Sequence, residues 1–259
     1  MSLPWRVVGL MRARLDLSDF AALKSAFDQD RPSLVLHCAA ISKPTECDAG
    51  PARAWRVNSE LTGQLAQLAA SIPFVFFSTD HIFDGRAGNY SEDAPRSPLS
   101  LYARTKVAAE DLVTAPPRHL IIRTSLNGGT SPTGDRGFNE PLRRAWSAGQ
   151  VTRLFTDEFR SPIAASVTAR AVWERVLRRA TGTFHIAGAE RLSRWQIGQL
   201  LAARWPQLAP RIEAAYIADH RGGPRPPDTS LDCRKAQALL SFPLPGLTAW
   251  LREHPDDEF

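Results

Sequence analysis

The feature that most constrains this chain is the alternation, through its first two thirds, of short apolar runs with amphipathic helical stretches. The runs at 5–10, 33–38, 74–77 and 120–123 are too short for helices and lie between turn residues, so they read as strands. Between them, 18–27, 52–70 and 101–113 carry apolar residues at helical spacing. Ser18 is placed to cap the first of these helices, with Asp19 in its first turn. Trp55, Leu61, Leu65 and Leu68 mark the apolar stripe of the second. Continuous apolar strands joined through helices imply a parallel sheet covered on both faces, hence a doubly wound α/β fold. Beyond about residue 127 the pattern loosens. Helices are expected at 139–148, 166–179, 193–203 and 232–240, with few and short strands and a rigid, extended loop at 222–227. The chain thus divides into a sheet-forming part, 1–126, and a smaller lobe, 127–259, with returns to the sheet.

At 259 residues and 43% hydrophobic, the chain has enough apolar material for a large core, which excludes disorder. Its apolar runs fall short of the roughly 18 residues a membrane span requires, and its mean hydropathy is −0.25. The first residues reach Arg6 without a secretory apolar segment. Three cysteines form no C-x-x-C pair, so a reducing cytoplasm is expected, without zinc or disulfides. His37, His81 and His185 adjoin strand ends, but no companion ligands stand at metal spacing. The net charge is +5 and the pI near 9.5, yet the 28 arginines are scattered rather than gathered in a stripe, so neither nucleic acid nor membrane is an expected partner.

Chemistry concentrates at two places. Tyr102 and Lys106 stand four residues apart, on one face of a helix, and the bland alternative is an exposed pair. Upstream, Ser78-Thr79-Asp80 ends the strand at 74–77, at the carboxyl edge where parallel sheets bind ligands. A hydroxyl there and the Tyr/Lys pair on the next helix can converge on one carbonyl oxygen. Asp80 reads equally as a cap on the following turn.

These residues belong to an ordered set: Leu15-Asp16-Leu17, His37-Cys38-Ala39-Ala40, Arg56-Val57-Asn58, Ser78 to Gly85, Tyr90-Ser91-Glu92, Pro98 to Lys106, Arg123-Thr124-Ser125, Phe159-Arg160-Ser161-Pro162 and Leu231-Asp232. Taken together, the set resembles the extended short-chain dehydrogenase/reductase superfamily, in its dTDP-4-dehydrorhamnose reductase-like branch. The resemblance implies a Rossmann-like sheet with a substrate lobe, and NADPH-dependent reduction of a nucleotide-activated 4-keto sugar. Tyr102 would be the proton donor, Lys106 would stabilise its phenolate and hold the nicotinamide ribose, and Thr79 would hold the carbonyl oxygen. Ala39 and Ala40 would let backbone lie against the cofactor, while Asp16 and Leu17 would bracket its adenine. Arg12 would favour NADP over NAD, its alternative being a solvated arginine. Asp80, Phe138, Asn139, Arg160 and Arg225 would meet the substrate, the last four at its nucleotide diphosphate. Leu126 stands where the rhamnose-forming relatives carry an aromatic, which leaves the particular sugar open. A homodimer is left open as the assembly.

One expected part is missing. The family opens with a strand, a glycine-rich turn and a helix whose N-terminus receives the pyrophosphate. Here Gly9 stands alone, so 5–10 corresponds to the second strand and the first βα unit is absent. Either Met1 is an internal methionine of a longer product, or the protein is a non-catalytic binding subunit, like the β subunit of methionine adenosyltransferase. A sugar-nucleotide epimerase or dehydratase is the remaining alternative.

Overall fold

The computed structural model describes residues 5–10, 15–16, 19–114, 119–257 and 259. The first half holds α1 (Phe20–Asp30), β1 (Val35–His37), α2 (Pro44–Ala49), α3 (Pro51–Trp55), α4 (Leu61–Leu68), β2 (Phe74–Thr79), α5 (Leu101–Thr114) and β3 (His119–Thr124). There follow β4 (Asn127–Gly128), α6 (Glu140–Ser147), β5 (Val151–Phe155), β6 (Phe159–Arg160), β7 (Ile163–Ala164) and α7 (Ala165–Leu177). The chain ends with β8 (Gly182–His185), β9 (Leu192–Ser193), α8 (Arg194–Arg204), β10 (Arg211–Ala215), α9 (Arg234–Gln237) and α10 (Leu247–Glu253).

β1, β2, β3 and β8 form one parallel sheet in that order, so the C-terminal part returns to the sheet through β8. The pleat sends successive side chains to opposite faces. Phe74, Phe76 and Ile121 pack with Leu23, Leu61, Leu65 and Val113 beneath α1, α4 and α5. Val75, Leu120, Ile122 and Phe184 pack with Ala171, Val172 and Ala236 beneath α7 and α9. Both faces are therefore covered, and each of these large side chains contributes about 1.5–3 kcal/mol by leaving water. The fold is the α/β parallel sheet, covered on both faces, that the alternation implies, and it is Rossmann-like as the resemblance implies.

Several details differ from the sequence reading. Residues 5–10 form no strand: among the described residues nothing pairs with the free edge of β1, and without a ladder an apolar run gains no strand hydrogen bonds. Trp5 instead lies against Trp173 at 6.3 Å, and Val7 is 73% exposed. Asp19, rather than Ser18, caps α1, accepting from the Ala22 amide at 3.0 Å; Ser18 lies outside the described residues. The helix expected at 52–70 is interrupted by a π turn at Arg56–Glu60, which leaves Trp55 exposed. Short strands beyond residue 127 are seven among the described residues rather than few, because the lobe is built from small pairs: β4 with β7, β5 with β10, and β6 with β9. The helix expected at 232–240 is only the short α9, and α10 had no counterpart. No helix among the described residues is long and apolar enough to cross a membrane.

Candidate active site

β2 ends at Thr79, and the next turn, Asp80–Ile82, is a short 3₁₀ helix whose His81 amide donates to the Thr79 hydroxyl at 3.2 Å. α5 crosses this strand end carrying Tyr102 and Lys106. The pair is not exposed: Lys106 is 2% accessible, its Nζ donates to the Phe77 carbonyl at 2.6 Å, and it lies 3.9 Å from the centre of the Phe76 ring. Burial pushes the Lys106 ammonium down to about 7, against the opposing pull of Glu110. Burial likewise drives the Tyr102 phenol above its ordinary value; the Thr79 hydroxyl beside it acts the other way. Tyr102 therefore keeps its proton at neutral pH. His81 meets its ring edge-on at 6.1 Å.

Asn58 ties this helix to the loop after β1. The π turn aims its side chain so that Oδ1 accepts from the Ile41 amide at 2.8 Å, while Nδ2 donates to the Ile41 carbonyl at 3.0 Å and the Thr105 hydroxyl at 3.1 Å. Thr105 donates to the Tyr102 carbonyl at 2.7 Å. The loop residues Ala39 and Ala40 are half-buried just beyond β1. His37 is buried beside them, its Nε2 2.9 Å from the Thr62 hydroxyl, and burial, then Lys106, holds its imidazole down at about 3.

Asp80 is buried and does more than cap a turn. Its carboxylate accepts from Ser125 at 2.6 Å, Thr229 at 3.0 Å and Thr79 at 3.2 Å, joining β2 to the C-terminal lobe. Arg160 has its Nε 3.9 Å from the same carboxylate, Nη1 on the Phe159 carbonyl at 2.6 Å and Nη2 3.2 Å from Glu158. Arg225 and Arg194 meet Glu158 as well, through their Nε atoms at 2.5 Å and 4.0 Å. Burial opposes ionisation of Glu158, but Arg225, Arg160 and Arg194 together hold its carboxyl below the usual range.

The other expected residues lie differently. Asn139 exchanges two hydrogen bonds with the Gly129 backbone, and Phe138 packs edge-on against Phe259 at 5.6 Å; both are buried and committed to the lobe's own packing. Asp16 is exposed, its carbonyl accepting from the Asp19 amide, and Arg12 and Leu17 lie outside the described residues. Among the described residues no cluster of His, Cys, Asp or Glu is arranged to hold a metal. Glu158 and Arg194 were missed in the sequence because three distant segments bring them together, and one arginine among 28 gives no contrast. Asn58 was visible only as part of the motif Arg56-Val57-Asn58.

These side chains fit the nicotinamide end of a dinucleotide: a buried cation, a proton donor and a small-residue loop at the carboxyl ends of β1 and β2. They do not fit its pyrophosphate. No described segment before β1 joins a glycine-rich turn to a helix, the glycines at 128, 129, 134 and 137 leading instead from β4 into α6, and Asp19 already occupies an amide at the start of α1 with its own carboxylate.

The sequence profile of the family described as RmlD substrate binding domain matches residues 2–257. The chain is 39% identical over 222 residues to dTDP-4-dehydrorhamnose reductase of Streptomyces griseus, covering 82% of this chain and 69% of that one. It is 30% identical over 241 residues to the probable low-salt glycan biosynthesis reductase Agl14 of Haloferax volcanii, covering 90% and 80%. Methionine adenosyltransferase 2 subunit beta of Rattus norvegicus is 26% identical over 253 residues, covering 91% and 75%. The crystal structure of dTDP-4-dehydrorhamnose reductase from Yersinia enterocolitica superposes with a TM-score of 0.86 at 25% identity, covering 98% of this chain and 91% of that one.

Proposed function

The chain belongs to the RmlD substrate binding domain family, in the dTDP-4-dehydrorhamnose reductase-like branch of the extended short-chain dehydrogenases/reductases, and from that premise we propose that it reduces a nucleotide-activated 4-keto sugar with NADPH. The observation that carries this reading is the meeting of Thr79, Tyr102 and the buried Lys106 at the end of β2. A bound nicotinamide supplies the hydride. Everything else falls to side chains of this chain. The Thr79 hydroxyl orients the carbonyl oxygen beside the Tyr102 hydroxyl, and the Tyr102 proton passes to that oxygen as its charge develops. The Lys106 ammonium, 2.6 Å from the Phe77 carbonyl, stabilises the phenolate left behind. Its presence offsets part of the cost of burying that anion. Water from solvent then reprotonates Tyr102.

The test is consumption of NADPH by the purified chain with a dTDP-linked 4-keto-6-deoxy sugar, compared with Tyr102→Phe. Turnover is expected to fall about 10²- to 10⁴-fold in the variant, with substrate affinity little changed. Equal turnover in the two would remove Tyr102 from the chemistry. A second reading, a non-catalytic subunit, is favoured by the lack, among the described residues, of a pyrophosphate cradle beside β1 and by the likeness to methionine adenosyltransferase 2 subunit beta. It predicts no turnover at any cofactor concentration from a chain that is fully folded.

A further inference from the structure

The loop between β4 and α6 has a pinned stem and a lightly held tip. At the stem the Phe138 amide donates to the Asn127 carbonyl at 3.1 Å, while the Asn139 side chain bonds the amide and the carbonyl of Gly129 at 2.9 Å and 3.2 Å. The stem needs its glycines. Gly129 has φ +144°, and a Cβ on Gly137 would stand 2.5 Å from Asn139 Oδ1 and 2.7 Å from the Gly129 carbonyl oxygen. Within the loop the Glu140 carboxylate gathers the amides of Ser131, Arg136 and Gly137 at 2.6, 2.8 and 2.7 Å, together with the Ser131 hydroxyl at 2.8 Å. Residues 129–137 are thereby held as one compact body, in the manner of an Ω loop.

The two ends of this body stand on opposite sides of the site. Its stem rises on the β3 side, where Ser125, two residues before Asn127, donates to Asp80. Its tip meets the loop after β1, where Asp135 Oδ2 accepts from the Lys43 ammonium at 2.9 Å. β2 lies between β1 and β3 in the sheet, so the loop passes over the carboxyl end of β2, where Thr79 and Lys106 are 7% and 2% exposed. Asp135 is prepared for this contact: the Thr133 hydroxyl donates to it at 2.6 Å, and that bond, then the one from Lys43, holds its carboxyl down at about 2. The contact is nevertheless a weak one. Among the described residues it is the one hydrogen bond or ion pair that joins the loop to residues 38–60, and its two side chains are 47% and 27% exposed. Glu46 stands 3.8 Å from the same ammonium, on the β1 side, and keeps a partner for it when Asp135 withdraws.

We propose that 129–137 is a lid over the site at the end of β2, latched by the Lys43–Asp135 pair and opening by a swing about its glycine stem. Closed, it keeps bulk water from Thr79, Tyr102 and Lys106; open, it admits and releases what binds there. Lys43 and Asp135 are positioning residues, since they act through the loop rather than on reacting atoms. Glu140 makes the loop move as a unit instead of unravelling.

The test measures access to the site without a ligand, so its outcome stands apart from whether the chain reduces a sugar nucleotide. Tyr102→Cys places a thiol under the loop, with Thr79→Cys as a second reporter, in a chain whose exposed Cys38 is removed by Cys38→Ser. Reaction with dithiodipyridine, an uncharged thiol reagent, is followed by absorbance and assigned to its residue by peptide mass. Lys43→Gln and Asp135→Asn are each expected to speed the reaction about two- to fivefold, the worth of an exposed ion pair, whereas Lys43→Arg, which keeps the charge, should leave it slow. Salt at about 1 M should speed the reaction in the latched chain and leave the Lys43→Gln rate unchanged. Cys233, packed in the core beneath α7 and α9, is the internal control, because general loosening would expose it as well. Equal rates with and without the latch at both reporters overturn the lid, as does a rise at Cys233 that matches the rise at the reporter.

Discussion

Glu110→Gln joins the stability of this fold to the charge of its buried lysine. Glu110 lies on α5, one turn beyond Lys106, and receives Arg123 in a two-pronged pair: Nε on Oε1 at 3.0 Å and Nη2 on Oε2 at 2.8 Å. The two side chains are 2% and 6% exposed. The substitution keeps the shape and one acceptor oxygen but removes the charge, leaving the buried Arg123 cation among groups that do not neutralise it: the new amide, the Glu92 carbonyl, His185 and the Phe83 ring. Breaking a buried pair from one side costs about 3–5 kcal/mol. For a chain of this size that is a fall of about 6–20 °C in melting temperature, at roughly 2–4 °C per kcal/mol. The second readout is catalytic. Burial lowers Lys106 to about 7 and Glu110 is the chief group resisting that fall, so its neutralisation lowers the lysine further. The alkaline limb of turnover should then move to lower pH. Urea unfolding and a pH–rate profile measure the two effects. Replacing both Glu110 and Arg123 by leucine should recover stability relative to the single variant. A loss below about 1 kcal/mol in Glu110→Gln would refute the buried-pair argument, and an unmoved alkaline limb would refute its link to Lys106.

Lys106→Met should abolish turnover yet stabilise the fold at pH 6. Burial holds the folded lysine at about 7 against roughly 10.4 when unfolded, so the penalty is full below pH 7 and is relieved as pH rises between those values, by about 1.4 kcal/mol per unit; a variant less stable than the parent at pH 6 would contradict this. His37 and His185 are both held down at about 3 by burial, so the unfolded chain binds more protons between that value and about 6.5. Stability present above pH 6.5 should therefore drain away on acidification, at about 1.4 kcal/mol per unit for each histidine, and a flat urea midpoint from pH 6.5 to 5 would argue against it.

The sheet was legible because burial on both faces leaves a continuous apolar run, as at Phe74 to Thr79, and because Tyr102 and Lys106 advertise themselves among few tyrosines and lysines. Other features were not. The π turn at Arg56–Glu60 adds its extra residue inside a stretch whose flanks keep helical spacing, so only Trp55, turned outward, betrays it. Ser18 and Asp19 are equally good caps on paper, and hydrogen-bond geometry chose Asp19. For 5–10 the apolar pattern was real but insufficient, since a strand also needs a neighbour. The Glu158 cluster needs β6, the start of α8 and the Pro227 loop at one place, and no local window of sequence contains that information.

The edge of β1, which no described strand pairs, separates the proposed chemistry of this chain from how tightly it is expected to hold a dinucleotide. Thr79, Tyr102 and Lys106 are mounted on β2 and α5. β2 is paired on both sides, with β1 and, through six residue pairs, with β3, while α5 is anchored by Asn58 and by the Arg123–Glu110 pair. None of these contacts depends on a partner beyond β1. The pyrophosphate of a dinucleotide is another matter: its usual holder is a row of backbone amides at a helix N-terminus, and no described segment supplies one at that edge. The expected outcome is weak binding with retained chemistry. Turnover should rise with NADPH well past the micromolar range before saturating, and should depend on Tyr102 throughout. Micromolar binding of NADPH by the 259-residue chain would show that another segment holds the pyrophosphate. Turnover that survives Tyr102→Phe at saturating cofactor would show that the chemistry does not reside at the end of β2.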